Sequence, residues 1–250
     1  LAVGLTLAGC GESVAEYVAA HRDAAKAQLA RVAKVRELAH IVPADEWPTM
    51  KDPGRLAICD LVIPAYRDAG CDTWVIEQAQ LDQSKSYLSP KSLVSYGAAD
   101  WLVLPTSLID TGRYPPNESY PEGAEADRLT RPILYAFSWI EQVRYVIVVR
   151  QKEATAPKLA DDQKSYAPGS YSGEAILFEL MPEPKSLGSV PFEYAMTGDV
   201  QIRMRRGVIH PEQIEKAFAD GVRQALASAL VARLSNLERP PPSTVPTPSE

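Results

Sequence analysis

Apolar residues recur at three- and four-residue steps through the first forty positions of the chain. Val14, Val18, Ala25, Leu29, Val32 and Val35 fall on one face of a helix predicted over about residues 12–40. This stretch is rich in Ala, Leu, Arg, Lys and Glu and holds neither Gly nor Pro. Arg22, Lys26, Arg31, Lys34 and Arg36 make its polar side basic, set against Asp23 and Glu37. Such a helix can be a stalk that pairs with a partner helix, or a basic face resting near anionic head groups. It can also pack on its own domain with the charges solvated. The small, Ala-rich stripe is weak for a coiled coil and favours the last of these.

The pattern then changes. Pro43, Trp47-Pro48 and the turn signal Asp52-Pro53-Gly54 break the helical period. Strand-like runs follow at Leu56 to Ile63, Asp72 to Gln78, Asp100 to Leu104, Val143 to Val149, Glu174 to Leu180, Ser189 to Met196 and Asp199 to Met204. Between them, Ser89-Pro90 opens a short helix that Gly97 ends, and Pro132 to Gln142 reads as another. Val143 to Val149 is apolar on both faces beyond Arg144, which marks a central strand covered on each side. A last helix begins near Pro211, with Ile214, Phe218, Val222, Leu226 and Ala229 as its buried stripe. The expected fold class is α+β: a mixed β-sheet of five to seven strands packed with helices, behind a long N-terminal helix. Residues 43–238 form the α+β domain. From Arg239 to Glu250 the chain is mostly Pro, Ser and Thr, and this tail is expected to be disordered or polyproline-like.

Two long connections stand out as candidate binding loops. One runs from about residue 105 to 131 and carries Tyr114 and Tyr120. The other runs from about 151 to 171 and carries Tyr166 and Tyr171. Structureless loops beyond roughly 12–15 residues are uncommon and are usually functional or disordered. Tyr offers a rigid amphipathic contact at low entropic cost. Both loops flank the expected central strand, so they can share one end of the sheet. The plainer alternative has these tyrosines tucked onto the core.

Composition narrows the function classes. The 250 residues are 46% hydrophobic and 23% charged, ordinary values for a folded domain. A formal net charge of -6 argues against a nucleic-acid binder, whose footprint is a broad basic face. No run approaches the roughly 20 apolar residues of a spanning helix. No catalytic, metal-ligating or cofactor-binding motif emerges, and no cofactor is implied. Gly169-Ser170-Tyr171-Ser172-Gly173 puts Tyr where a nucleophile elbow needs Ser. There is no Ser-x-x-Lys, His-Glu-x-x-His, P-loop or Gly-x-Gly-x-x-Gly. His21 and His40 lie on the first helix, and His210 precedes Pro211. Asp161-Asp162, beside Lys158 and Lys164, reads as a solvated loop.

The opening residues carry a family resemblance. Leu1-Ala2-Val3-Gly4-Leu5-Thr6-Leu7-Ala8-Gly9-Cys10 is an apolar run closed by two small residues and a cysteine. It resembles the end of a bacterial lipoprotein signal peptide, with Leu7-Ala8-Gly9-Cys10 as the lipobox. The missing Met and Lys/Arg-rich start suggest that the sequence is a fragment or was trimmed. The resemblance implies cleavage before Cys10, which makes residues 1–9 a signal-peptide remnant, and acylation of that cysteine. Several acyl chains anchor stably where one alone is marginal. Gly11, rather than Asp, implies the periplasmic face of the outer membrane if the host has one. In element order the body is similar to penicillin-binding-protein activator lipoproteins, and no site residue is carried over from them. The function implied is a membrane-anchored envelope lipoprotein acting as a partner-binding or accessory module, with another envelope protein as partner. The alternative is an envelope hydrolase with a dispersed active site.

With Cys10 assigned to lipid, Cys59 and Cys71 remain as a pair in a disulfide-permitting compartment. They lie in two successive strand-like runs joined by a turn-rich stretch. If those runs form a hairpin the thiols can bond, at a stabilisation of about 3 kcal/mol in the chain-entropy model. Otherwise they are two separately buried thiols. A metal site lacks both a Cys-x-x-Cys and a nearby His.

Overall fold

The computed structural model describes residues 14–41, 47–54, 56–58, 72–82, 137, 140–162, 164–197, 209–234 and 237–238. In chain order the elements are α1 (Val14–Ile41), β1 (Leu56–Ala57), β2 (Thr73–Glu77), α2 (Gln78–Asp82), β3 (Tyr145–Thr155), β4 (Lys158–Leu159), β5 (Tyr166–Ala167), β6 (Ser170–Glu179), β7 (Lys185–Ala195), α3 (Pro211–Val231) and β8 (Leu237–Glu238). Phe137 and residues 140–142 are also helical. The fold is α+β.

The main sheet has the order β2-β3-β6-β7. β2 runs parallel to β3, and the β3–β6 and β6–β7 pairs are antiparallel. Strand side chains alternate between faces, so the apolar run of β3 serves two cores. Ile147 and Val149 join Val75, Leu177, Val190 and Phe192 beneath the stripe Ile214, Phe218, Val222, Leu226 and Leu230 of α3. Val146 and Val148 join Trp74, Ile76, Ile176 and Phe178 beneath Val18, Ala25, Val32, Val35 and Ala39 of α1. The sheet is therefore a middle layer with one long helix on each side, as the two-faced apolar strand predicts.

α1 packs on its own domain, and this spends its basic charge. Arg22, Arg31 and Arg36 are half-buried. Arg31 Nη1 donates to Gln28 Oε1 at 2.7 Å, and Lys34 Nζ pairs with Glu183 at 2.8 Å. The outward charges of α1 are Glu16, Asp23 and Glu37 beside Lys26 and Lys34, so no basic face remains.

The main sheet of the described residues has four strands rather than five to seven. Two short two-stranded ladders, β1-β8 and β4-β5, lie outside it. The runs expected at 100–104 and 199–204, the helix at 90–97 and the tail 239–250 lie outside the described residues. The expected loop 151–171 is corrected more fully. β3 continues to Thr155 and β6 begins at Ser170, with the β4–β5 ladder between them. The error has a physical cause. Gln151 to Thr155 lie past the end of β2, and every side chain there is exposed. Backbone pairing with β6 holds them, and with no covering layer they carry no apolar signature.

Helix α3 crosses Tyr194 closely. A Cβ placed on Gly221 would stand 2.1 Å from Tyr194 Cζ, and the same ring packs on Phe218 with centroids 5.8 Å apart. Ala gains about 1 kcal/mol of helix propensity over Gly, while overpacking costs about 1–3 kcal/mol. Gly221→Ala should therefore be destabilising or neutral in the native chain. In a Tyr194→Ala background it should turn stabilising by about 1 kcal/mol. Urea titration of the four proteins checks the change of sign.

Candidate functional site

In open sheets with parallel strands, the carboxyl ends of those strands are the usual ligand position. Here β2 ends at Glu77, which pairs with Val149, so Arg150 is the first residue of β3 beyond it. The last turn of α1 arrives at the same place. Arg150 Nη2 donates to the Ala39 carbonyl at 2.6 Å, and its Nε donates to Gln78 Oε1 at 3.1 Å. The Gln78 amide nitrogen lies 3.0 Å from His40 Nδ1. With the amide donating, Nδ1 accepts and the imidazole proton sits on Nε2. The guanidinium thus meets a last-turn carbonyl at the negative end of the α1 dipole. Charge, cap and packing all fasten α1, α2 and β3 together at this point.

Glu174 is the cross-strand partner of Arg150 in β6 and is buried. Its Oε1 accepts from Ser189 Oγ of β7 at 2.6 Å, and its Oε2 is buried without a hydrogen-bond partner. Ser189 is itself buried and pairs with Ile176. The Glu174–Ser189 pair is a buried side-chain hydrogen bond that ties β6 to β7. A second tie lies at the other end of α1. His21 Nδ1 meets Glu141 Oε1 at 2.7 Å, Tyr17 stacks on the imidazole at 4.1 Å, and Phe137 meets Tyr17 edge-on at 6.1 Å. Gln28 Nε2 donates to the Val143 carbonyl between these two ends.

Among the residues singled out from sequence, Cys10, Cys59, Cys71, Tyr114 and Tyr120 lie outside the described residues. Near the two later cysteines, Ile58 and Thr73 are described, and they form a parallel bridge. Tyr171 is in β6 rather than a loop. It is 3% exposed and stacks on Phe192 with centroids 5.6 Å apart, and burial pushes its phenol well above the usual range. It cannot offer a contact surface. Tyr166 is half-buried on β5, and its hydroxyl donates to the Thr197 carbonyl at 3.3 Å. The two tyrosines therefore do not converge on one exposed patch. Asp162 Oδ1 accepts the backbone N–H groups of Lys164 and Ser165 at 2.8 and 3.1 Å. These bonds hold its carboxyl below the ordinary range, a turn-forming role.

The Arg150–Gln78–His40 and Glu174–Ser189 clusters have no motif in the sequence. Their only trace was a charged residue at the margin of an apolar run. No group of three or more His, Cys, Asp or Glu able to hold a metal occurs among the described residues. No protein-family model, curated protein or solved structure matches the chain.

Proposed function

We propose that this chain is a lipid-anchored protein of the bacterial cell envelope whose α+β domain serves as a partner-binding or accessory module. The observation that carries it is the run Leu7-Ala8-Gly9-Cys10, which places a thiol directly after two small residues and an apolar stretch. The build of the domain is compatible with that role. The helix that follows the anchor is committed to its own core, and its described contacts are structural ties. No helix among the described residues is long and apolar enough to cross a membrane. The means of attachment on this reading is a lipid on Cys10.

The test is metabolic labelling in a bacterial host with a fatty-acid analogue that can be coupled to a dye. Wild-type chain behind a complete leader should take up label, and Cys10→Ser should take up none and stay uncleaved at this site. Wild-type protein that stays unlabelled overturns the proposal. On this reading Gly11 implies that the labelled protein goes to the outer membrane of a two-membrane host, and recovery with inner-membrane fractions would refute that part alone.

A further inference from the structure

We infer that the anchored domain stands end-on at the bilayer, with the first turns of α1 against the lipid head groups and the β3–β6 hairpin at the far end. The inference rests on the lipid-anchor reading above. Cys10 and Val14 are four residue steps apart, which limits the tether to about 14 Å. Beyond Val14 the helix is not free to swing. From Val18 to Ala39 it is buried against the sheet.

Contacts fix its direction. Residue 21 meets residue 141, residue 28 meets residue 143, and residue 39 meets residue 150. α1 therefore ascends alongside β3, in the same sense. From Val14 to Ala39 it rises about 38 Å at 1.5 Å per residue. β3 continues from Arg150 to Thr155 for about 17 Å more. Thr155 and the β4–β5 ladder thus lie at the opposite pole from the tether.

Among the described residues, nothing on the outer side of α1 would hold the domain flat. Its exposed charges are Glu16, Asp23 and Glu37 against Lys26 and Lys34, and Lys34 is already paired with Glu183. That face has no electrostatic pull toward anionic lipid. Its outward residues between the charges are largely alanines such as Ala19, Ala20, Ala24, Ala27 and Ala30. Among the described side chains of α1, the exposed large apolar one is Ile41, at the end away from the tether.

The experiment uses the full lipidated chain in neutral phosphatidylcholine vesicles whose head groups carry a nitroxide quencher. A fluorophore is attached through an encoded azide at Ala19 or at Asp161, both exposed, which leaves every cysteine untouched. Quenching should be several-fold stronger at position 19 than at position 161. Equal quenching, or the reverse order, shows a flat or inverted domain and overturns the inference while leaving the anchor intact. The same chain started at Gly11, with neither leader nor acyl chain, should lose quenching at both positions. If it does not, the bilayer contact is independent of the lipid, and both readings fall together. Wild-type protein that carries no acyl chain has the same consequence.

Discussion

Ending the chain before Pro211 should yield insoluble or protease-sensitive protein. That cut removes α3 and with it Ile214, Phe218, Val222, Leu226 and Leu230, all 3% exposed or less. Burying a large apolar side chain is worth about 1.5–3 kcal/mol. Five of them rival the roughly 5–15 kcal/mol of a typical domain. The loss falls on the other partner too. Val75, Ile147, Leu177, Val190 and Phe192 share this core, so one face of the sheet would be opened to water. A milder variant guards against reading simple chain damage as proof. Leu226→Ala should fold and lose about 2–5 kcal/mol in a urea titration. A truncated protein that melts cooperatively like the full chain would show that α3 does not hold the sheet.

The elements most legible in the sequence were those with a long, regular apolar period. Four positions of the α3 stripe follow from its period, and it differs only at its end, where Leu230 rather than Ala229 is buried. The length of α1 and its inward face were equally clear, because a helix that packs on a sheet must repeat its apolar residues every turn. The two-sided burial of β3 followed from the absence of polar alternation between Tyr145 and Val149. What was not legible depends on who lies opposite. Gln151 to Thr155 are strand because β6 pairs with them, and their own side chains say nothing of it. Tyr171 lies in the expected 151–171 loop, and Gly169 and Gly173 flank it. Those glycines instead allow close approach within the sheet: a Cβ on Gly173 would stand 2.9 Å from the Arg150 carbonyl. The Arg150–Gln78–His40 tie joins residues far apart in sequence, and no local spacing encodes it. The same holds for Glu174 and Ser189, where only the register of β6 against β7 brings carboxylate and hydroxyl together.

Gly188→Ala should be among the most damaging single substitutions in the chain. β7 carries an irregularity here: Leu177 pairs with Gly188, while Phe178 pairs with Ser186, which leaves Leu187 as the extra residue. The bulge needs a backbone with φ of +119° at Gly188, a region that L side chains rarely adopt. It also lets residues 48–51 lie along the outer edge of β7. Met50 N–H donates to the Ser189 carbonyl at 3.1 Å, Ser189 N–H to the Pro48 carbonyl at 2.8 Å, and Lys51 N–H to the Leu187 carbonyl at 2.9 Å. This strap satisfies an edge that would otherwise invite pairing with another chain. A Cβ on Gly188 would stand 2.5 Å from the Pro48 carbonyl oxygen and 2.7 Å from Met50 Cα. Both are backbone atoms, so no side-chain rotation relieves the clash. Backbone strain of about 1–3 kcal/mol and overpacking of about 1–3 kcal/mol should therefore add. Gly54 supplies the internal control. Its φ is +92°, yet nothing lies within 4 Å of the Cβ it would gain. Gly54→Ala should cost the backbone strain alone. The urea midpoint should fall further for Gly188→Ala than for Gly54→Ala. Faster amide exchange at Met50, Lys51 and Ser189 should accompany the larger loss. Equal losses in the two variants, with those amides still protected, would mean that the 48–51 strap does not seat on β7 as described.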